Sequence, residues 1–454
     1  MVTNLTVKTT RRRAPVVFPR KIANLNVIQH FQLQQVNLPL ASKGASDKNA
    51  KEQGKGRCNL IKEVKPAKRK PDPNARPKDK AKDDCYKDDA DSCRKDDPNK
   101  PGCRKFSTYS AISLRTSLDS ASKPCEIKKV CAAIPKFSAY DVLVRIGEVA
   151  ITGSDIHVYE HGSTNSANIS LGHDATGIIE ATGECIHSLR RGDRVVMESS
   201  LSCGICEFCK RGVYNMCNNI IYNGFLMKYQ VHPADLCYKL PDSVDMAEAT
   251  LTQTLAQGCQ AVFKAHITPT TNVLIMGSSA IAVASAFCAQ AIGAKNVAFA
   301  CTMPTPLASI HDDFDFDCVR YDVYGDYGEI LEGIFCTFQD WPDVVINCAI
   351  NERTMNIAVM CLRPCGTCVL TECESEGVSF NALDVLMKNI RIIPSFRSKN
   401  MFATAIHLIN SGRAPMGKMI AARYRWSHIE QAFAAAQSES NYGYKKIVIQ
   451  CGED

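Results

Sequence analysis

Acidic residues are missing from the start of this chain. No Asp or Glu occurs before Asp47, whereas Arg11, Arg12, Arg13, Arg20, Lys21 and Lys43 all fall there. An acid-free, Arg-bearing N-terminus over 1–46 has the composition of a mitochondrial transit peptide, and equally that of a basic tail in a cytoplasmic protein. Aliphatic residues are scarce in the next stretch, 47–105, which is rich in Lys, Asp and Pro. Such a segment cannot bury enough apolar surface to offset its ordering entropy, so a disordered basic extension is expected over 1–106. A short repeat at Cys85, Cys93 and Cys103 reads as solvated low-complexity sequence, with a metal or disulfide role as the alternative. Charge is absent from Val273 to Ala294, a run of membrane-spanning length. Its Gly-Ser-Ser break, and the lack of a second such run, favour a buried strand, a tight turn and a buried helix. The 23 cysteines lack the even spacing of a small secreted domain, so most read as buried thiols or metal ligands.

What is present bounds the rest. The chain has 454 residues, 45% of them hydrophobic, enough for a large core and two or three domains. Its net charge of +7 is uneven: Lys and Arg exceed Asp and Glu by 14 before Phe106 and fall short by 7 after it. A mildly acidic body excludes a nucleic-acid-binding core, though a basic tail still suits anionic surfaces. From about Ser107 the texture turns globular. "DVLVRIGEVAI" and "RGDRVVM" read as strands bounded by turn residues. "TNVLIMG", the helix "SAFCAQAIGA" closed by Gly293, and "NVAFAC" make a strand–helix–strand unit, which implies a parallel sheet. "KKIVIQC" is a last strand, expected to return to the first globular domain.

Four cysteines, Cys203, Cys206, Cys209 and Cys217, are spaced C-x2-C-x2-C-x7-C. Four thiolates on a short loop can close a tetrahedral shell around zinc and leave no position open for water or substrate. The lobe is therefore expected to hold one structural zinc per chain.

That lobe, with "ITGSDIHVYEHG", "LGHDATGIIEATGECIHSLRRGDRVV" and "CYKLPDSVDMAEAT" around it, resembles the medium-chain zinc dehydrogenases, nearest the sorbitol dehydrogenase branch. The likeness runs on through "LRPCGTCVLTECESEG" and "IIPSFRSKN" and covers about 107–454. It implies an α/β fold: a GroES-like, β-rich catalytic domain over 107–255, a Rossmann doubly wound coenzyme domain over 256–398, and a return segment over 399–454. It also implies NAD-linked oxidation of a polyol secondary alcohol polarised by zinc, and a homo-oligomer.

The same likeness locates departures. Thr152 stands where the polyol enzymes place a zinc-binding Cys. His173 and Asp174 stand for a His-Glu pair, and Gln253 and Thr254 for a Glu-Pro pair. Ser154 and His157 match a proton relay, Asp155 a carboxylate that orients a ligand, and Arg397 a substrate-side arginine. In the G-x-G-x-x-G fingerprint, read here as "GSSAIA", Gly277 is kept, Ser279 replaces the second Gly and Ala282 the third; Cys301 stands for the ribose-binding acid. No Arg lies near Cys301 to suggest a switch to NADP. The expectation is a relative with lost or weak activity, weak NAD binding and no catalytic zinc; the alternative is a working NAD(P)-dependent dehydrogenase with variant ligands.

Overall fold

In the computed structural model the described residues are 109–113, 127–132, 137–161, 171–302, 306–373, 377–440 and 443–452, all within the unit Asp97–Asp454. The expected extension over 1–106, its import-like start and the Cys85, Cys93 and Cys103 repeat lie outside them. β1 (Tyr109–Ser113) and β2 (Lys128–Ala132) form an antiparallel pair.

The first sheet is organised by β3 (Asp141–Ile151), whose Val, Leu and Ile residues are buried along most of its length. It pairs antiparallel with β4 (Asp174–Thr182), which pairs with β5 (Arg194–Met197). A short pair, β6 (Ser200–Leu201) and β7 (Ile221–Tyr222), brackets the cysteine lobe. β8 (Tyr229–Pro233) covers the first half of β3, and β9 (Cys237–Lys239) extends the sheet from β5.

The second sheet is wholly parallel. Its strands are β10 (Asn272–Met276), β11 (Asn296–Thr302), β12 (Asp317–Tyr321), β13 (Val344–Asn347), β14 (Thr367–Leu370) and β15 (Arg391–Pro394). They lie in the order β12-β11-β10-β13-β14-β15, so strand order reverses between β10 and β13. That reversal opens the crevice where doubly wound sheets bind ligands, outside the carboxyl ends of the strands. All five residues of β10 are buried, as a central parallel strand requires. The helix Ala280–Ala291 is buried nearly all round because it lies between this sheet and the helix Thr252–Ala265. The uncharged run from Val273 thus resolves into strand, turn and helix, and no helix among the described residues is long and apolar enough to cross a membrane.

β16 (Ile420–Arg425) and β17 (Lys446–Gln450) return to the first sheet, where β17 pairs antiparallel with the second half of β3, Ile447 opposite Ile151. Two helices bear on the expected domain limits. Thr252–Ala265 spans the 255/256 boundary. Phe402–Asn410 places Phe402, Ala405, Leu408 and Ile409 in the same core as that helix, past the limit set at 398. The segment over 399–454 therefore serves both cores, since its first helix carries an apolar face that fits the coenzyme side.

Candidate active site

The cysteine lobe is shaped by two short turns. A one-turn helix (Glu207–Lys210) follows Cys206, and a 3-10 turn (Tyr214–Met216) precedes Cys217. Together they bring the sulfurs of Cys203, Cys206, Cys209 and Cys217 within 4.8 Å of one another. Backbone N–H groups point at them: Cys203 N donates to Cys217 Sγ at 3.3 Å, Cys206 N to Cys203 Sγ at 3.4 Å, and Asn219 N to Cys217 Sγ at 3.4 Å. Such donors favour thiolate over thiol. Cys206 is held down at about 6, first by its backbone hydrogen bond with Cys209. Arg397 serves this lobe. Its Nη1 donates to the Asn215 carbonyl at 3.2 Å, and its guanidinium stacks over Phe396 and Tyr222. The expected substrate-side arginine is therefore not among the residues lining the cavity described next, because the lobe carbonyl and two aromatic rings hold it elsewhere.

A cavity of about 450 Å³ lies where the two sheets meet. Thr152 and Ser154 enter it from the end of β3 and the helix Gly153–His161, His173 and Asp174 from the start of β4, and Gln253 from the helix Thr252–Ala265. β-pairing fixes this meeting, with Ala150 opposite Asp174. His157 is exposed on the same short helix, one turn after Ser154, and lies outside the lining.

Asp155 organises the floor. Its Oδ2 accepts from Thr152 N at 2.9 Å and Thr152 Oγ1 at 2.7 Å, and its Oδ1 accepts from Gly172 N at 2.7 Å. Thr152 Oγ1 also lies 2.9 Å from Ser154 Oγ. Burial opposes ionisation of Asp155, but His173 and these hydrogen bonds outweigh it and hold the carboxyl below its usual range. His173 sits between two carboxylates, Nδ1 at 3.7 Å from Asp155 Oδ1 and Nε2 at 3.9 Å from Asp174 Oδ1. Burial alone would lower its imidazole; Asp155 and then Asp174 lift it to about 9. Burial raises Asp174. Two buried acceptors, Asp174 Oδ1 and Gln253 Oε1, have no hydrogen-bond partner among the described residues.

At the dinucleotide turn, Gly277 has φ +100°, which suits the tight turn after β10. Ser279 does more than intrude. It is the N-cap of the helix Ala280–Ala291, its Oγ accepting from Ala282 N at 3.2 Å, and its hydroxyl donates to Glu372 Oε2. Cys301 stands near the end of β11, as the fingerprint requires of the ribose-binding position, and its thiol donates to the Thr302 carbonyl at 3.3 Å.

Two cavity residues escape the motif reading. Glu372 follows β14 and Lys446 opens β17. The only sequence signal for Glu372 is an acid just past the carboxyl end of a parallel strand, on the ligand side of such a sheet. Lys446 arrives through β17 pairing with β3, and its charge acts on both His173 and Asp174.

Comparisons with known proteins agree with this architecture. The alcohol dehydrogenase GroES-like domain family matches residues 138–242, and the zinc-binding dehydrogenase family matches residues 280–411. An L-idonate 5-dehydrogenase of Vitis vinifera is 31% identical over 323 residues, covering 68% of this chain and 88% of that protein. A sorbitol dehydrogenase of Bombyx mori is 30% identical over 316 residues, covering 67% and 90%. Among solved structures, an Escherichia coli oxidoreductase/dehydrogenase of unknown specificity involved in membrane biogenesis has a TM-score of 0.68 at 25% identity, covering 76% of this chain and 100% of that one. A short chain alcohol dehydrogenase from Escherichia coli CFT073, complexed with NADH, shares the fold with a TM-score of 0.67 at 22% identity, over 76% and 99%. From its two family matches, its relatives and its pair of sheets, the chain belongs to the zinc-containing medium-chain dehydrogenases, close to sorbitol dehydrogenase.

Proposed function

We propose that this chain is a polyol-dehydrogenase relative that keeps one structural zinc and has lost, or retains only weakly, the NAD-linked oxidation of a polyol. One observation carries the reading: among the described residues, the four lobe cysteines are the one group of three or more His, Cys, Asp and Glu able to hold a metal. A catalytic zinc takes three protein ligands and keeps a fourth position open. Beside the His173 imidazole the cavity offers the Asp174 carboxylate; Asp155 is taken up by hydrogen bonds from Thr152 and Gly172, and Glu372 is bonded to Ser279 at the dinucleotide turn. The Thr152 hydroxyl gives its proton to Asp155, and Gln253 is a neutral amide. His173, lifted to about 9, has a proton to lose before it can ligate. The residues present do not fit a catalytic zinc. The lobe does fit: Cys203, Cys206, Cys209 and Cys217 would hold a zinc that supplies folding energy.

NAD binding is weak in this reading, since Ser279 and Cys301 replace two fingerprint groups. The names of the relatives support a small polyol as ligand. Family likeness supports a homo-oligomer, and the acid-free N-terminus supports import into mitochondria. The direct test is oxidation of sorbitol and xylitol with NAD by the purified full chain. Without metal polarisation, worth several kcal/mol, turnover falls at least about a thousandfold below that of a zinc-competent relative. Turnover equal to such a relative's would refute the reading. A second reading, a working dehydrogenase with variant ligands, rests on Asp174 Oδ1 and Gln253 Oε1, two orphaned acceptors that a cation would satisfy.

A further inference from the structure

A buried helix start such as that of Ala280–Ala291 directs its N–H groups and the positive end of its dipole at whatever lies before it. In a doubly wound sheet that position, at the first turn after β10, receives the pyrophosphate of a dinucleotide. Here the chain brings its own anion there. Glu372 Oε2 accepts from the Ser279 hydroxyl, and Ser279 Oγ in turn accepts from Ala282 N at 3.2 Å. Hydroxyl and carboxylate form one chain of hydrogen bonds ending on the helix N-terminus. Glu372 lines the same cavity as His173 and Asp174, so its carboxylate faces the space that a bound ligand would enter.

A second contact closes the turn from the other side. Gly443 has φ +92°, and a Cβ placed on it would lie 2.5 Å from the Ser278 carbonyl oxygen. The return segment thus packs its backbone directly against the turn.

We propose that Glu372 excludes dinucleotide coenzymes from this chain: bonded to the N-cap Ser279, it places a carboxylate at the anion position of the dinucleotide turn and turns away pyrophosphate-bearing ligands. The proposal deepens the reading of weak NAD binding and rests on it, but it names a different cause. The loss of a fingerprint Gly and of a ribose-binding acid removes attraction, whereas Glu372 adds repulsion. Removing its charge then restores binding, while restoring an acid at Cys301 alone does not.

The test is calorimetric titration of ADP-ribose and NADH into the full chain. ADP-ribose carries the pyrophosphate without the nicotinamide, so its binding is independent of hydride chemistry. Glu372→Gln keeps size and hydrogen-bonding capacity and should tighten ADP-ribose at least about tenfold, equivalent to about 1.4 kcal/mol. Cys301→Asp alone should change it by less than about threefold, well under that energy. Equal affinities in Glu372→Gln and the unmodified chain would overturn the proposal. Unmodified chain that binds NADH below about 10 μM would instead overturn the underlying reading of a weak site. A variant-free measurement covers misfolding of Glu372→Gln. Raising salt to about 0.5 M screens the repulsion, so ADP-ribose should bind the unmodified chain more tightly. A steep loss of affinity with salt would show that attraction dominates at the turn and would sink the proposal.

Discussion

A thiolate at position 152 would bring a negative charge and a soft donor into the cavity. The threonine hydroxyl there instead donates to Asp155 at 2.7 Å and contacts Ser154 at 2.9 Å. Thr152→Cys alone should leave the metal content of the purified protein unchanged, since Gln253 still supplies no charge. Thr152→Cys with Asp174→Glu and Gln253→Glu supplies three anionic donors beside His173 and should add a second zinc, read by metal analysis. No gain in the triple variant would show that the backbone, and not these side chains, excludes the metal. His232 gives a prediction about stability. Its Nε2 faces the Glu198 carbonyl at 3.0 Å and its Nδ1 faces Asn223 Nδ2 at 3.1 Å, which fits a neutral ring donating through Nε2 and accepting through Nδ1. Burial holds the imidazole down at about 4, against 6.5 when unfolded. As pH falls below 6.5 the unfolded chain takes up the proton first, so stability is full above 6.5 and is lost towards pH 4. The loss is about 3 kcal/mol, since each pH unit between those two values is worth about 1.36 kcal/mol. Denaturant unfolding across this pH range should show that slope, and His232→Gln should flatten it; an equally steep slope in the variant would assign it to other groups.

At the scale of elements, the cysteine lobe is the clearest unit. Its thiols lie within 4.8 Å of one another and are served by backbone donors, so the proposed zinc would couple its binding to loop folding. Cys206→Ser should release the zinc and make the 203–217 loop a proteolysis site while the parallel sheet stays folded. Retention of the metal by that variant would contradict the four-thiolate shell. The lobe is legible in the sequence because its ligands are local. So are β3, bounded by turn residues, and β10, β11 and the helix between them, where apolar runs are punctuated by Gly-Ser-Ser and Gly293. The limits at 255 and 398 are not legible, because the period of a helix shows that it has an apolar face and not which core receives it. The motif around Arg397 points to substrate, but its partners Asn215 and Tyr222 come from a lobe distant in sequence. The contact between Ser279 and Glu372 spans 93 residues and leaves no motif.

Across the whole molecule, the residues that build the fold and those that would perform chemistry part company. Both sheets follow the family, while in the proposed reading Thr152 and Gln253 stand in the cavity for charged donors and the dinucleotide turn holds Ser279 against Glu372. Decay at random would strike strands and turns as readily as ligands. Hydride transfer needs metal and coenzyme together, so repairing either site alone should yield no turnover, and repairing both should exceed the sum of the two. The most direct measurement is the zinc-to-chain ratio of the purified full-length protein after exhaustive dialysis. One zinc per chain, lost on Cys206→Ser, is the result expected from a complete lobe beside a cavity without a third strong ligand. Two tightly held zincs per chain would contradict it and make Asp174 and Gln253 working ligands.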